Sequence, residues 1–201
     1  MASEDLPAHG PRGPANPLSR DKAALRVIMR AERRAYVAGL APGERAALEA
    51  ALGAIVRPYL PAGAIIGSYA PHGGEIDPAR IAPGATLPWF ADAMGECVFR
   101  PGPATQRGPF GVRQPSQRGA PVQPTVIFTP LLAADTRGYR LGQGGGHYDR
   151  LLAGLPDRAA VMVIGVAWDM QIIPHVPDDP WDMALDAVAT PTRWIVPVPA
   201  G

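Results

Sequence analysis

The densest chemistry in the chain lies in one segment, Gly-Tyr-Arg-Leu-Gly-Gln-Gly-Gly-Gly-His-Tyr-Asp-Arg, from Gly138 to Arg150. Gly142, Gly144, Gly145 and Gly146 can expose backbone N–H groups and let a ligand come close to the main chain. Arg140 precedes them and a helix is expected after them. Amides, a helix N-terminus and a guanidinium would then converge as a phosphate cradle. The segment is not a Walker A loop, since no Lys-Ser/Thr follows the glycines. It is not a dinucleotide fingerprint either: counted from Gly142 and Gly144, the third glycine position holds His147. Glycine content alone also allows a flexible surface loop. A plain linker rarely carries Arg140, His147, Tyr148, Asp149 and Arg150 together.

Other charged residues admit two readings each. Lys22, the only lysine, recurs with Arg26, Arg30 and Arg33 at helical spacing. That face is either solvated or, through Lys22, Arg26 and Arg30, a phosphate clamp reaching over the glycine loop. Glu75 follows Gly73-Gly74 beyond an expected strand, where α/β proteins bind ligands; an ordinary exposed loop glutamate is the alternative. Asp149, Asp182 and Asp186 could supply carboxylates for Mg²⁺, which pairs a few of them with phosphate and water. A solvated acidic loop is the other reading. The four histidines lack metal-ligand spacing. Cys97 reads as a buried strand residue, and no Gly-x-Ser-x-Gly elbow occurs.

These groups need elements to position them. Ser19 reads as an N-cap with Asp21 in the first turn, opening a helix whose stripe is Leu25, Ile28, Met29 and Tyr36. A second helix is expected from Pro42, with Leu48, Leu52 and Ile55 inward, ending before Pro58. Strands are expected at 64–69, 86–90, 96–100, 125–129 (halted by Pro130), 161–167, 187–190 and 194–198. Asp77-Pro78 opens a short helix, and Leu151, Leu152 and Leu155 mark another. The continuous apolar run from Val161 reads as the centre of a parallel sheet. Strands alternating with helices give an α/β domain. Residues 1–18, rich in Pro and Gly, read as a disordered tail, and 19–201 as a single domain.

Composition removes other classes. The 201 residues suit one domain, and a net charge of +1 gives no reason to expect nucleic-acid binding. No apolar run approaches the ~20 residues of a membrane span, and no secretory signal opens the chain. One cysteine excludes an internal disulfide and a four-cysteine zinc site. A cytoplasmic protein, expected to be a monomer, is the simplest reading.

The segment Arg140-Leu-Gly-Gln-Gly-Gly-Gly-His-Tyr-Asp149-Arg resembles the signature of the 5-formyltetrahydrofolate cyclo-ligase (methenyltetrahydrofolate synthetase) family. Lys22-Ala-Ala-Leu-Arg26 is similar to that family's N-terminal element, and Tyr69-Ala-Pro-His-Gly-Gly-Glu75-Ile-Asp77 to its strand-then-glutamate segment. Phe110-Gly-Val-Arg-Gln-Pro115, Val126 to Asp135, and Val163 to Asp186 with Gln171, Pro177 and Asp182 resemble further stretches in the same order.

The resemblance implies a mostly parallel sheet flanked by helices, with a ligand cleft at the strand C-terminal ends. It implies an ATP- and Mg²⁺-dependent ligase that converts 5-formyltetrahydrofolate into 5,10-methenyltetrahydrofolate, ADP and phosphate through phosphorylation of the formyl oxygen. It places ATP on Lys22, Arg26 and Arg140, Leu141, Gly142, Gln143, Gly144, Gly145, Gly146, His147 and Tyr148, with Lys22 and Arg140 as catalytic. Folate falls on Ala70, Glu75, Gln143, Gly144, Gly145, Gly146 and His147, and Mg²⁺ on Asp149 and Asp182. The chain departs from the family's pattern at His147, Gln143, Gln114, Ala134 and Pro180-Trp181. The first two stand where aromatic and basic residues are usual, and Ala134 is expected to enlarge the pocket. Two alternatives follow: a folate- or nucleotide-binding protein without turnover, and an ATP-dependent ligase for another one-carbon or amide substrate. Neither a nucleic acid nor a membrane is an expected partner.

Overall fold

The computed structural model describes residues 17–91 and 97–198. In chain order the elements are helices α1 (Pro17–Gly39) and α2 (Glu44–Val56), then strands β1 (Ile66–Gly67), β2 (Leu87–Phe90), β3 (Cys97–Arg100), β4 (Gln106–Arg107) and β5 (Arg113–Gln114). They continue with β6 (Val126–Pro130), β7 (Ala133–Ala134), β8 (Arg140–Leu141), helix α3 (His147–Ala153), β9 (Met162–Val166), β10 (Ala187–Ala189) and β11 (Trp194–Ile195).

Continuous β-branched and apolar runs build the middle of the main sheet, because a strand covered on both faces has no solvent side for polar residues. Its order is β1-β6-β9-β10-β11. The first four strands are parallel and β11 returns antiparallel. The α/β class and the mostly parallel sheet agree with the sequence reading. Alternate residues feed two cores. Val126, Phe128, Ile164 and Val166 pack with Leu52 and Val56 of α2 and with Trp168. Ile127, Val163 and Val188 pack with Leu151 and Leu152 of α3 and with Phe99.

Several boundaries differ from expectation. The α1 helix starts at Pro17, ahead of the N-cap expected at Ser19, since proline suits the first helical turn. Residues 1–16 of the expected tail lie outside the described residues, as does Glu96 of the expected 96–100 strand. The α2 helix opens at Glu44 behind Gly43 (φ +84°), rather than at Pro42. Pro130 belongs to β6 and pairs in register with Val166. The Gly/Pro-rich middle of the chain forms two small antiparallel ladders, β2–β3 and β4–β5. The short helix at Asp77-Pro78 is a single 3₁₀ turn, capped by the Asp77 carboxylate accepting from Ala79 N.

The largest correction concerns α1. The expected apolar stripe and the basic face are not separate. Lys22, Met29 and Arg33 share the buried face, while Ile28 is left 52% exposed. Buried cations require partners, and the helix lies where distant residues supply them.

Candidate active site

A cleft of about 300 Å³ opens beyond the C-terminal ends of β1 and β6. Its wall combines Tyr69, Ala70, His72 and Glu75 after β1, Pro130 of β6, Phe90 of β2, and the loop from Arg140 to Asp149. Gly144 (φ +102°) and Gly146 (φ +63°) take left-handed backbone conformations, which is why that loop needs glycine there. Gly146 leads directly into α3, so His147, Tyr148 and Asp149 form the first turn of that helix.

The basic face of α1 lies over this loop. Arg26 Nε donates to the Gly142 carbonyl at 3.0 Å. Arg30 donates to the Gln143 carbonyl at 2.7 Å and to Gln143 Oε1 at 2.9 Å. Lys22, only 7% exposed, donates to Asp179 at 2.6 Å and also to Asp182. Burial works against its ammonium, yet the bonds to Asp179 and Asp182 outweigh burial and hold its pKa above the usual lysine value. Arg140 is buried. One of its nitrogens donates to the Met183 carbonyl at 2.8 Å and another to the Asp149 carboxylate. Burial pulls the Arg140 pKa below its usual value, and Asp149 and Asp182 oppose that. Asp149 and Asp182 both also act on Arg26. The two carboxylates therefore act electrostatically on the same pair of guanidiniums.

Glu75 marks a second charged region. It is 7% exposed. Its carboxylate accepts from His72 N at 2.9 Å and from Gln143 Nε2 at 3.3 Å, and sits 3.5 Å from Arg33 Nη1. Burial raises the Glu75 pKa, and Arg33 is the main influence pulling it back. The loop carrying it is pinned where Arg45 donates to the Glu75 carbonyl and Trp168 Nε1 to that of Gly74. Gln143 spans the two regions, accepting from Arg30 and donating to Glu75. An amide can do both; the basic side chain usual at this position in the resemblance could only donate.

His147 packs edge-on to Phe90 at 5.6 Å between ring centroids. Burial, with Arg150 nearby, lowers its pKa below the ordinary 6.5, so the ring is neutral at pH 7. The Tyr148 hydroxyl is buried without a hydrogen-bond partner among the described residues. Burial raises its pKa well above 10.0.

The chain matches a model of the 5-formyltetrahydrofolate cyclo-ligase family over residues 94–191. A curated 5-formyltetrahydrofolate cyclo-ligase of Mycolicibacterium smegmatis is 33% identical over 196 residues, covering 88% of this chain and 97% of that protein. The chain belongs to the 5-formyltetrahydrofolate cyclo-ligase family. It is a ligase of that family. The cyclo-ligase of Escherichia coli K12 is 43% identical over 68 residues, 34% of this chain and 37% of its own. Among solved structures, the Aquifex aeolicus 5,10-methenyltetrahydrofolate synthetase superposes with a TM-score of 0.71 at 28% identity, covering 87% of this chain and 92% of that one. The Mycoplasma pneumoniae synthetase shares the fold, with a TM-score of 0.63 at 22% identity over 85% of this chain and 99% of its own.

For this cyclo-ligase, the structure gathers most of the sequence-derived set. Ala70, Glu75, Arg140, Gly142, Gln143, Gly145, Gly146, His147, Tyr148 and Asp149 line the cleft. Lys22 and Asp182 meet each other beside it. Gly144 faces Arg26, whose Nε lies 3.4 Å from where a Cβ would stand. The Leu141 side chain is instead buried with Met29 and Val176. Asp186 does not join the carboxylates: it accepts from Val163 N at the start of β9 and pairs with Arg158. Ala134 is buried in the core beneath the sheet and does not widen the cleft. Gln114 grips Phe90 with both ends of its amide, accepting from the backbone N–H at 3.1 Å and donating to the carbonyl at 3.2 Å. Sequence reasoning missed Arg33 and Asp179 as parts of the site. The signal for Arg33 was its place one helical repeat beyond Lys22, Arg26 and Arg30. Asp179 had none beyond lying near Asp182.

Proposed function

We propose that the chain cyclises 5-formyltetrahydrofolate to 5,10-methenyltetrahydrofolate with consumption of ATP, releasing ADP and phosphate. The observation that carries this reading is the meeting of Lys22, Arg26 and Arg140 with a glycine loop at one side of a cleft whose other side holds buried Glu75. The fold alone would not say this; the family supplies the reaction, and the charges supply the places for its parts.

The chemistry is phosphoryl transfer followed by ring closure. A formyl oxygen is a poor leaving group. Moving the γ-phosphoryl group of ATP onto it breaks the bond to ADP and leaves an iminium phosphate. The neighbouring nitrogen then attacks the formyl carbon, the C–O bond to phosphate breaks, and the nitrogen's proton departs with the phosphate. Such a transfer needs positioning and charge neutralisation more than covalent help. Lys22, Arg26 and Arg140 bind and neutralise phosphate oxygens, and the backbone from Gly142 to Gly146 cradles them. Glu75 with Gln143 and His147 orient the folate. The Tyr148 hydroxyl, without a hydrogen-bond partner among the described residues, has a donor to offer.

The acids suit Mg²⁺ brought in on the nucleotide. Asp149 and Asp182 act electrostatically on the same guanidiniums, and no group of three or more His, Cys, Asp or Glu able to hold a metal occurs among the described residues. Two carboxylates completed by phosphate oxygens and water make a usual Mg²⁺ set. When bound there, Mg²⁺ would offset charge on the transferring phosphoryl group. The reading takes the enzyme as a monomer.

Near-ultraviolet absorbance tests the reading. The methenyl product has a conjugated amidinium that the substrate lacks. A band that grows only with 5-formyltetrahydrofolate, ATP and Mg²⁺ together is expected. Folded protein that binds both ligands and gives no band would contradict it.

A further inference from the structure

A second cavity of about 510 Å³ adjoins the cleft, sharing Ala70, His72 and Val112 with it. Its wall carries Arg107, Arg113 and His72 and no carboxylate. The β4–β5 ladder sets Arg107 directly opposite Arg113. Residues so paired project from one face of the ladder, and like charges there repel. Neither guanidinium joins an ion pair among the described residues. Both are exposed, and Arg113 is steadied where its Nε donates to the Ala104 carbonyl at 3.0 Å. Two uncompensated cations are thus held side by side at a mouth of the substrate cleft. Of the other arginines at the cleft, Arg33 and Arg140 are paired with Glu75 and Asp149, and Arg26 and Arg30 are tied to the glycine loop itself.

We propose that this basic mouth takes the glutamate end of the folate, its two carboxylates pairing with Arg107 and Arg113. The inference rests on the folate reading above. The substrate's charge is lopsided: the pterin end is neutral and the glutamate end is a dianion at neutral pH. A dianion is repelled by Glu75 and by the carboxylates near Arg140. The Arg107–Arg113 cavity adjoins the cleft with two paired cations and no acid, whereas the cavity on the other side, beyond Phe90 and His147, offers Arg150 alone. Guanidiniums bind carboxylates through paired N–H donors, which favours two arginines over a diffuse field. The two arginines would select folates over pterins that lack the glutamate.

The test compares two ligands on two proteins. Calorimetry measures the Kd of 5-formyltetrahydrofolate and of 5-formyltetrahydropteroate, the same molecule without glutamate, for the wild type and for the Arg107→Ala/Arg113→Ala variant. The wild type is expected to prefer the glutamate-bearing ligand by about tenfold or more, the scale of a charge-assisted hydrogen bond. The double variant is expected to lose that preference with its pteroate affinity unchanged. In turnover its KM for folate should rise while kcat and the KM for ATP hold. A preference retained by the double variant, or an equal weakening of both ligands, overturns the proposal. Wild-type binding without turnover would count against the cyclo-ligase reading and leave the preference to decide the arginines. Wild-type protein that binds neither ligand would overturn both.

Discussion

The two sides of the cleft hold their charges differently. Beside Arg140, cations and acids satisfy one another in a shared set: Lys22 with Asp179 and Asp182, Arg140 with Asp149. At Glu75, one carboxylate is buried against one guanidinium, Arg33, and otherwise tied to backbone and to Gln143. The first arrangement can be exchanged. Under the proposed function, an incoming polyphosphate would take the cations while its metal would take the acids, so no charge would be left bare. The second cannot be exchanged without stranding a buried ion, and it serves to fix shape. Under the proposed function, nucleotide charge would be met by residues that already carry partners to give up, and the folate side by residues that stay put.

Removing a cation from the exchangeable side should have the largest effect. Lys22→Met or Arg140→Ala should lower kcat/KM by about 10³-fold, the scale of deleting one transition-state donor, with the far-ultraviolet circular dichroism spectrum unchanged. Near-normal turnover in either variant would remove that residue from the site. On the fixed side the effect should fall on stability. Arg33→Met strands Glu75 and should cost about 3–5 kcal/mol in urea unfolding. A loss below about 1 kcal/mol would show that Glu75 is not held by this pair.

A gentler probe is Glu75→Gln. Burial raises the Glu75 pKa, so the folded protein holds that proton more tightly than the unfolded chain does. The contribution of Glu75 to stability is therefore greatest at low pH and falls as pH rises from the ordinary 4.5 through the folded value. Thermal melts between pH 4.5 and 7 should show that decline in the wild type and its absence in the variant; parallel curves would contradict it. The smallest effect is expected from Gln114→Glu, which removes the donor to the Phe90 carbonyl. It should cost about 1–3 kcal/mol and raise the folate KM only slightly, measured by melting and by initial rates.

The sequence made the sheet centre legible because strands buried on both faces leave an unbroken apolar trace, as from Val126 and from Val161. The glycine loop was legible because its residues are contiguous. What stayed hidden depends on contacts far apart in the chain. Lys22 meets Asp179 across 157 positions, and Arg33 meets Glu75 from a different element. A local reading puts basic residues on a solvated face, since cations are rarely buried without partners, and those partners cannot be seen locally. Asp186, which the sequence left open, is decided by the same kind of contact: it accepts from Val163 N and pairs with Arg158 just before β10. The strands that become β2 and β3 were legible, but the β4–β5 ladder was blurred by glycines and prolines that interrupt the alternation.

The single lysine has a practical corollary. Apart from the α-amino group, an amine-directed acylating reagent finds one target in the whole chain. That amine is buried, protonated and held by two carboxylates, so it is a poor nucleophile. The rate at which Lys22 is acylated therefore times the opening of the Lys22–Asp179–Asp182 contact, the same contact that a nucleotide would have to displace under the proposed function.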